Sequence, residues 1–133
     1  MAALAALRST LIGTPETLPA PLLESFPELG SVRYRRGGLP PRVGGWALGM
    51  RTVAGITLWR TVFLAPETCF DAELLLHELA HVRQFEGSLA FPLLYVWESL
   101  RVGYRRNRFE IAAQRFAATR LRAARSPSPL SGT

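Results

Sequence analysis

The 133-residue sequence predicts an α+β domain: an N-terminal helix, a small antiparallel sheet of about three to four strands, then three helices with the His77–His81 helix central. Three observations carry this. β-Branched and aromatic residues concentrate between Trp46 and Leu64, where Ile56 and Leu58 alternate with Thr57 and Trp59. After Phe70 the period changes, and Leu75, Leu79, Val82 and Phe85 recur as one helical stripe. Apolar residues make up 48% and charged residues 20%, enough for one buried core. Cys69 is alone, which excludes an internal disulfide framework and any CxxC metal or redox site.

Each element has a local reason. Residues 1–12 form a short apolar helix or a loose arm. Thr14-Pro15-Glu16 offers an N-cap, a proline at the first helical position and an acid in the first turn, so a helix is expected to open there and run to Pro27. Val32 to Arg35 alternates as a strand, which Gly37-Gly38-Leu39-Pro40-Pro41 breaks. Trp46–Met50, Val53–Trp59 and Thr61–Leu64 are expected as short strands. Helices follow from about Phe70 to Glu86 with a stop at Gly87, from about Ser88 to Val102 with Pro92 near the first turn, and from Asn107 to near Ala124. Trp46, Trp59 and Trp97 are expected in the core. Residues 1–125 make one domain, and the Ser/Pro-rich stretch 126–133 a disordered tail.

The formal charge of +6 comes from sixteen arginines, no lysine and ten acids. Residues 101–125 hold eight arginines against Glu110 alone. This predicts a solvated basic helix face. No aromatic interleaving or nucleic-acid motif accompanies it, so no nucleic-acid partner is expected. The longest apolar run, Leu89–Trp97, has nine residues where a spanning helix needs about 20, so no transmembrane segment is expected. Arg8 interrupts the apolar start and no export signal is evident, which predicts a cytoplasmic protein.

The chemistry concentrates in Leu76-His77-Glu78-Leu79-Ala80-His81-Val82, an HExxH motif in a helical context. His77 and His81 project from one face a turn apart, as two imidazoles on one metal ion must. Glu78 sits beside them, placed to accept a proton from a metal-bound water and misaligned as a ligand. Chance gives this arrangement about once in a thousand sequences of this composition. Both histidines of the chain are used.

Zinc then requires a third protein ligand, and it must be an acid. Downstream of His81 the chain offers Glu86, Glu98 and Glu110. Glu86 lies about 140° around the same helix and should point away. Glu98 sits in the apolar second helix, where it can reach inward. Glu110 lies early on the third helix among Ala112, Ala113, Ala117 and Ala118, which permit close packing. Glu110 has a competing use, because Asn107-Arg108-Phe109-Glu110 matches an N-cap followed by Glu at N3. Ligation by Glu110 is the favoured expectation, with capping by Glu110 or ligation by Glu98 as alternatives.

The segment His77-Glu78-Leu79-Ala80-His81-Val82-Arg83-Gln84 resembles the active-site helix of small bacterial gluzincin-like metallopeptidase domains, whose signature is HELxHVxQ. Tyr104-Arg105-Arg106-Asn107-Arg108-Phe109-Glu110 is similar to their third-ligand helix, Tyr-x-x-Asn-x-x-Glu, with Arg108 where that pattern has proline. Ile56–Leu64 is similar to the strand pair ahead of that helix. The resemblance spans about Gly45–Phe116. It implies a Zn2+-dependent hydrolase of a peptide or protein substrate, with Glu78 as general base acting on metal-activated water. It also implies an oxyanion donor, for which Tyr104 or Arg105 is available, and a substrate strand laid along the segment around Thr57–Thr61. A second class of function is a non-catalytic, zinc-stabilised or metal-free module whose arginine-rich C-terminal helix meets an acidic partner or surface. A closed structural zinc site has no use for a base at Glu78, which favours catalysis.

Overall fold

The structure, a computed structural model, describes residues 1–47 and 54–126. The chain is α+β: six helices and one four-stranded sheet among the described residues. Helix α1 (Ala2–Ile12) leads into strand β1 (Thr14–Glu16), helix α2 (Ala20–Ser25), a 3-10 turn (Pro27–Ser31) and strand β2 (Arg33–Arg36). Helix α3 (Leu39–Ala47) precedes the hairpin of β3 (Gly55–Leu58) and β4 (Thr61–Leu64). Helices α4 (Ala72–Gly87), α5 (Phe91–Val102) and α6 (Arg108–Arg125) complete it, with a second 3-10 turn at Tyr104–Arg106.

The sheet order is β1-β2-β4-β3. Two of its pairings are antiparallel as expected, but β2 runs parallel to β4, with Arg33 opposite Thr61 and Arg36 opposite Leu64. A parallel pair needs a crossover, and the long connection that contains α3 supplies it. The strand expected at Trp46–Met50 is therefore corrected: Trp46 and Ala47 end α3, and residues 48–50 lie outside the described residues. Pro40 and Pro41 explain the helix, since their fixed φ and missing N–H are harmless in a first turn. Gly37 and Gly38, at φ 77° and 85°, turn the chain out of β2. A Cβ on Gly38 would stand 2.7 Å from the Gly13 nitrogen, so the residue must also stay bare.

Thr14-Pro15-Glu16 forms strand β1 rather than a helix start. Pro15 is tolerated because β1 is an edge strand. Arg36 pairs with Glu16, and Arg35 donates to the Ile12 and Gly13 carbonyl oxygens at 2.6 and 2.9 Å, which ties the arm to β2. These long-range bonds outweigh a local capping signal. The tail expected over 126–133 lies outside the described residues apart from Ser126.

The core lies between the sheet and the buried face of α4. Leu29, Val62, Leu64, Leu75 and Leu76 are fully buried, with Leu79, Val82 and Ala117 beside them. Each large apolar side chain so buried contributes about 1.5–3 kcal/mol. Ala113 and Ala117 face α4 and let α6 approach closely, as their size predicts. The tryptophans depart from expectation. Trp59 and Trp97 are exposed, and the side chain of Trp46 lies outside the described ones. Trp59 sits in the two-residue turn of the β3–β4 hairpin at φ 54°, stacked on Phe85 with ring centroids 5.3 Å apart. No glycine or asparagine marks that turn, so alternation alone placed Trp59 in a strand.

Candidate metal centre

Helix α4 is anchored at its start by Asp71, whose side chain accepts from the Glu73 N–H. Its Leu75, Leu79 and Val82 stripe is buried, and this fixes the face that carries both histidines. His77 Nε2 and His81 Nε2 stand 3.2 Å apart. Glu110, 3% exposed near the start of α6, places Oε2 2.9 Å from His77 Nε2 and Oε1 3.0 Å from His81 Nε2. The three residues form a group that can hold a metal ion. Donors about 2.0–2.1 Å from a tetrahedral ion lie about 3.3 Å from each other, close to the 3.2 Å between the two imidazole nitrogens, while Glu110 meets each histidine with a different oxygen.

The alternatives for the third ligand separate cleanly in space. Asn107 caps α6 with its own side chain, Oδ1 accepting from the Phe109 N–H at 2.8 Å. Glu110 is thereby free to face the histidines. Glu98 is buried as anticipated, but it pairs with Arg101 at 3.2 Å. Glu86 points away and meets Arg60 at 3.5 Å. Cys69 is exposed ahead of α4, outside the cluster.

Two residues to which the sequence alone assigned no role orient this group. Gln84 Nε2 donates to the Phe109 carbonyl oxygen at 3.0 Å, which turns its Oε1 toward His81 Nδ1 at 2.8 Å. An amide oxygen only accepts, so Nδ1 carries the proton and Nε2 of the neutral ring presents a bare lone pair to Glu110. A lone pair and a carboxylate oxygen at 3.0 Å call for a cation between them, a proton or a metal ion. Tyr95 is the second residue: its hydroxyl donates to Glu110 Oε1 at 2.6 Å. Gln84 stands three residues past His81 on one helix and was legible as a neighbour. Tyr95 was not, because its contact depends on how α5 packs against α6.

Glu78 is buried, and its Oε2 accepts from the Thr57 hydroxyl on β3 at 2.6 Å. Burial raises its pKa, against the opposing effects of His81 and the Thr57 hydrogen bond. Burial would likewise raise the Glu110 pKa, but hydrogen bonds from His77, His81 and Tyr95 hold it well below the usual carboxylate range. For His81, burial would lower the pKa. The Glu110 hydrogen bond and the charges of Glu78 and Glu110 outweigh it and raise the value. Tyr104 lines the same cleft, its phenol pushed up by burial and by the Glu110 charge.

These groups open into a cleft of about 320 Å³. Its walls are β3, the aromatic side of α4 at Phe85, and α5 through Phe91, Tyr95 and Val96, with Glu78, His81, Glu110 and Tyr104 among its polar members. β3 is an outermost strand of the sheet, so among the described residues the strand bordering the cleft has no strand paired on its far edge. Among the described residues no helix is long and apolar enough to cross a membrane. No family model matches the chain, nor does any curated protein or any solved structure.

Proposed function

We propose that the chain is a zinc-dependent metallopeptidase of the gluzincin-like kind, in which His77, His81 and Glu110 hold the metal. The observation that supports this most is the division of labour among buried groups. Three donors converge on one point, while a separate buried carboxylate, Glu78, stands outside the donor set in the same cleft. A closed structural site takes a fourth protein ligand, and the described residues offer a cluster of three. When bound, zinc supplies a Lewis acid that acidifies water and polarises a carbonyl.

The chain's own residues perform the rest. Gln84 and Tyr95 keep the donors aimed. Glu78 takes the proton of the attacking water and returns it to the leaving amine. Tyr104, at the cleft, supplies a hydroxyl to the oxyanion. The outer edge of β3 receives the substrate as an added strand.

Elemental analysis and casein hydrolysis test this together. Wild type is expected to carry one zinc per chain and to cleave. Glu78→Gln keeps the metal and loses hydrolysis, and removing both imidazoles loses both. Zinc content unchanged without His77 and His81, or wild-type cleavage by Glu78→Gln, refutes the assignment.

A further inference from the structure

The outer face of α5 takes no part in the metal centre. Leu93, Val96, Trp97 and Leu100 are 77%, 55%, 65% and 79% exposed, and Leu89 in the preceding turn is fully exposed. On a helical projection the four fall within an arc of about 100°. Phe91, Tyr95 and Glu98 occupy the opposite side and face the interior. The stripe is a continuous apolar surface, since its four members sit at i, i+3, i+4 and i+7.

The chain that follows it is charged with one sign. Arg101, Arg105, Arg106 and Arg108 follow directly and are all exposed. The one acid between Gly87 and Phe109 is Glu98, which is buried and paired with Arg101. An occupant must therefore accept large apolar side chains and carry negative charge beside them. A second copy of the chain offers the same arginines and no exposed acid on this face. A bilayer with anionic lipids offers both: an apolar interior for the leucines and headgroups for the arginines. Trp97 suits the boundary between the two. The helix has 12 residues, about 18 Å, and is too short to span.

We propose that this face of α5, with the arginines after it, docks on an anionic phospholipid surface. The helix lies in the plane of the interface. Val96 belongs to the stripe and also lines the cleft, so docking sets the cleft rim at the lipid surface. This assignment is independent of the metal, and chelation is expected to leave lipid binding intact.

The test is co-sedimentation of the full chain with vesicles of phosphatidylcholine, alone or with about one-third phosphatidylglycerol. Binding is expected at least about tenfold tighter to the anionic vesicles and weakened by salt. The Leu93→Ser/Leu100→Ser double variant should lose at least about tenfold. Arg105→Gln/Arg106→Gln should lose only the preference for anionic vesicles. Leu4→Ser/Leu7→Ser on the equally exposed α1 should bind as wild type. Brominated lipids give a reading that needs no destabilising change: they should quench wild-type tryptophan fluorescence more than that of Trp97→Phe. Failure to bind anionic vesicles, or binding indifferent to the Leu93/Leu100 change, overturns the proposal. So does light scattering that shows a dimer dissociated by that variant, since the occupant is then a second copy.

Discussion

Replacing Glu110 by Gln isolates the third donor with almost no change of volume. The carboxylate is 3% exposed and lies 2.9 and 3.0 Å from the two imidazole nitrogens. A glutamine there can offer its amide N–H to a histidine lone pair, so the metal-free site stays hydrogen-bonded while the anionic ligand is gone. Zinc sites with four protein ligands bind with about 10–16 kcal/mol, or roughly 2.5–4 kcal/mol per ligand. The variant should therefore bind zinc about 10²–10³-fold more weakly. Competition against a chromophoric chelator measures the affinity, and circular dichroism of the chelated protein checks that the fold persists. Zinc affinity within about threefold of wild type, in a folded variant, would refute ligation by Glu110.

Gln84→Leu removes the acceptor that fixes the His81 tautomer, and zinc affinity should fall about 10–100-fold in the same competition assay, with little change in the thermal midpoint of the chelated protein. Asn107→Ala should do the reverse. It removes the cap at Phe109 and the bonds to the Tyr95 carbonyl and Ser99 Oγ, costing about 2–4 kcal/mol in urea unfolding while zinc binding largely survives. In the chelated protein, the raised His81 pKa contributes stability that is complete below its unfolded value of about 6.5 and is lost as pH rises through the folded value. Glu78, raised by burial, acts in the same direction, whereas the depressed Glu110 contributes above about 4.5 and is lost only as pH falls through its folded value. Thermal midpoints with chelator should thus be highest near pH 4.5, where the Glu110 contribution is complete and the Glu78 loss has not begun, and should fall as pH rises, while the gain from added zinc grows toward alkaline pH. A midpoint with chelator that climbs steadily from neutral to alkaline pH would contradict this.

The sequence by itself determined what local spacing can determine. The i, i+4 histidines with Glu78 between them, the buried stripe from Leu75 to Val82 and the stop at Gly87 arise within α4, and the cap at Asn107 at the start of α6; each is local to its own helix, where periodicity fixes which residues share a face. It also narrowed the third donor to three acids, because the histidines were exhausted. Tertiary structure decided the rest. Glu110 rather than Glu98 meets the imidazoles, since small alanines bring α6 onto α4 while Arg101 holds Glu98 elsewhere. Thr57 and Tyr95 reach Glu78 and Glu110 across 21 and 15 residues of chain, a separation at which no periodicity operates. Strand β1 and the parallel β2–β4 pair were misjudged for the same reason. A strand is settled by the partner it finds, and Arg35, Arg36 and Glu16 supplied bonds that outweighed the local signals at Thr14-Pro15.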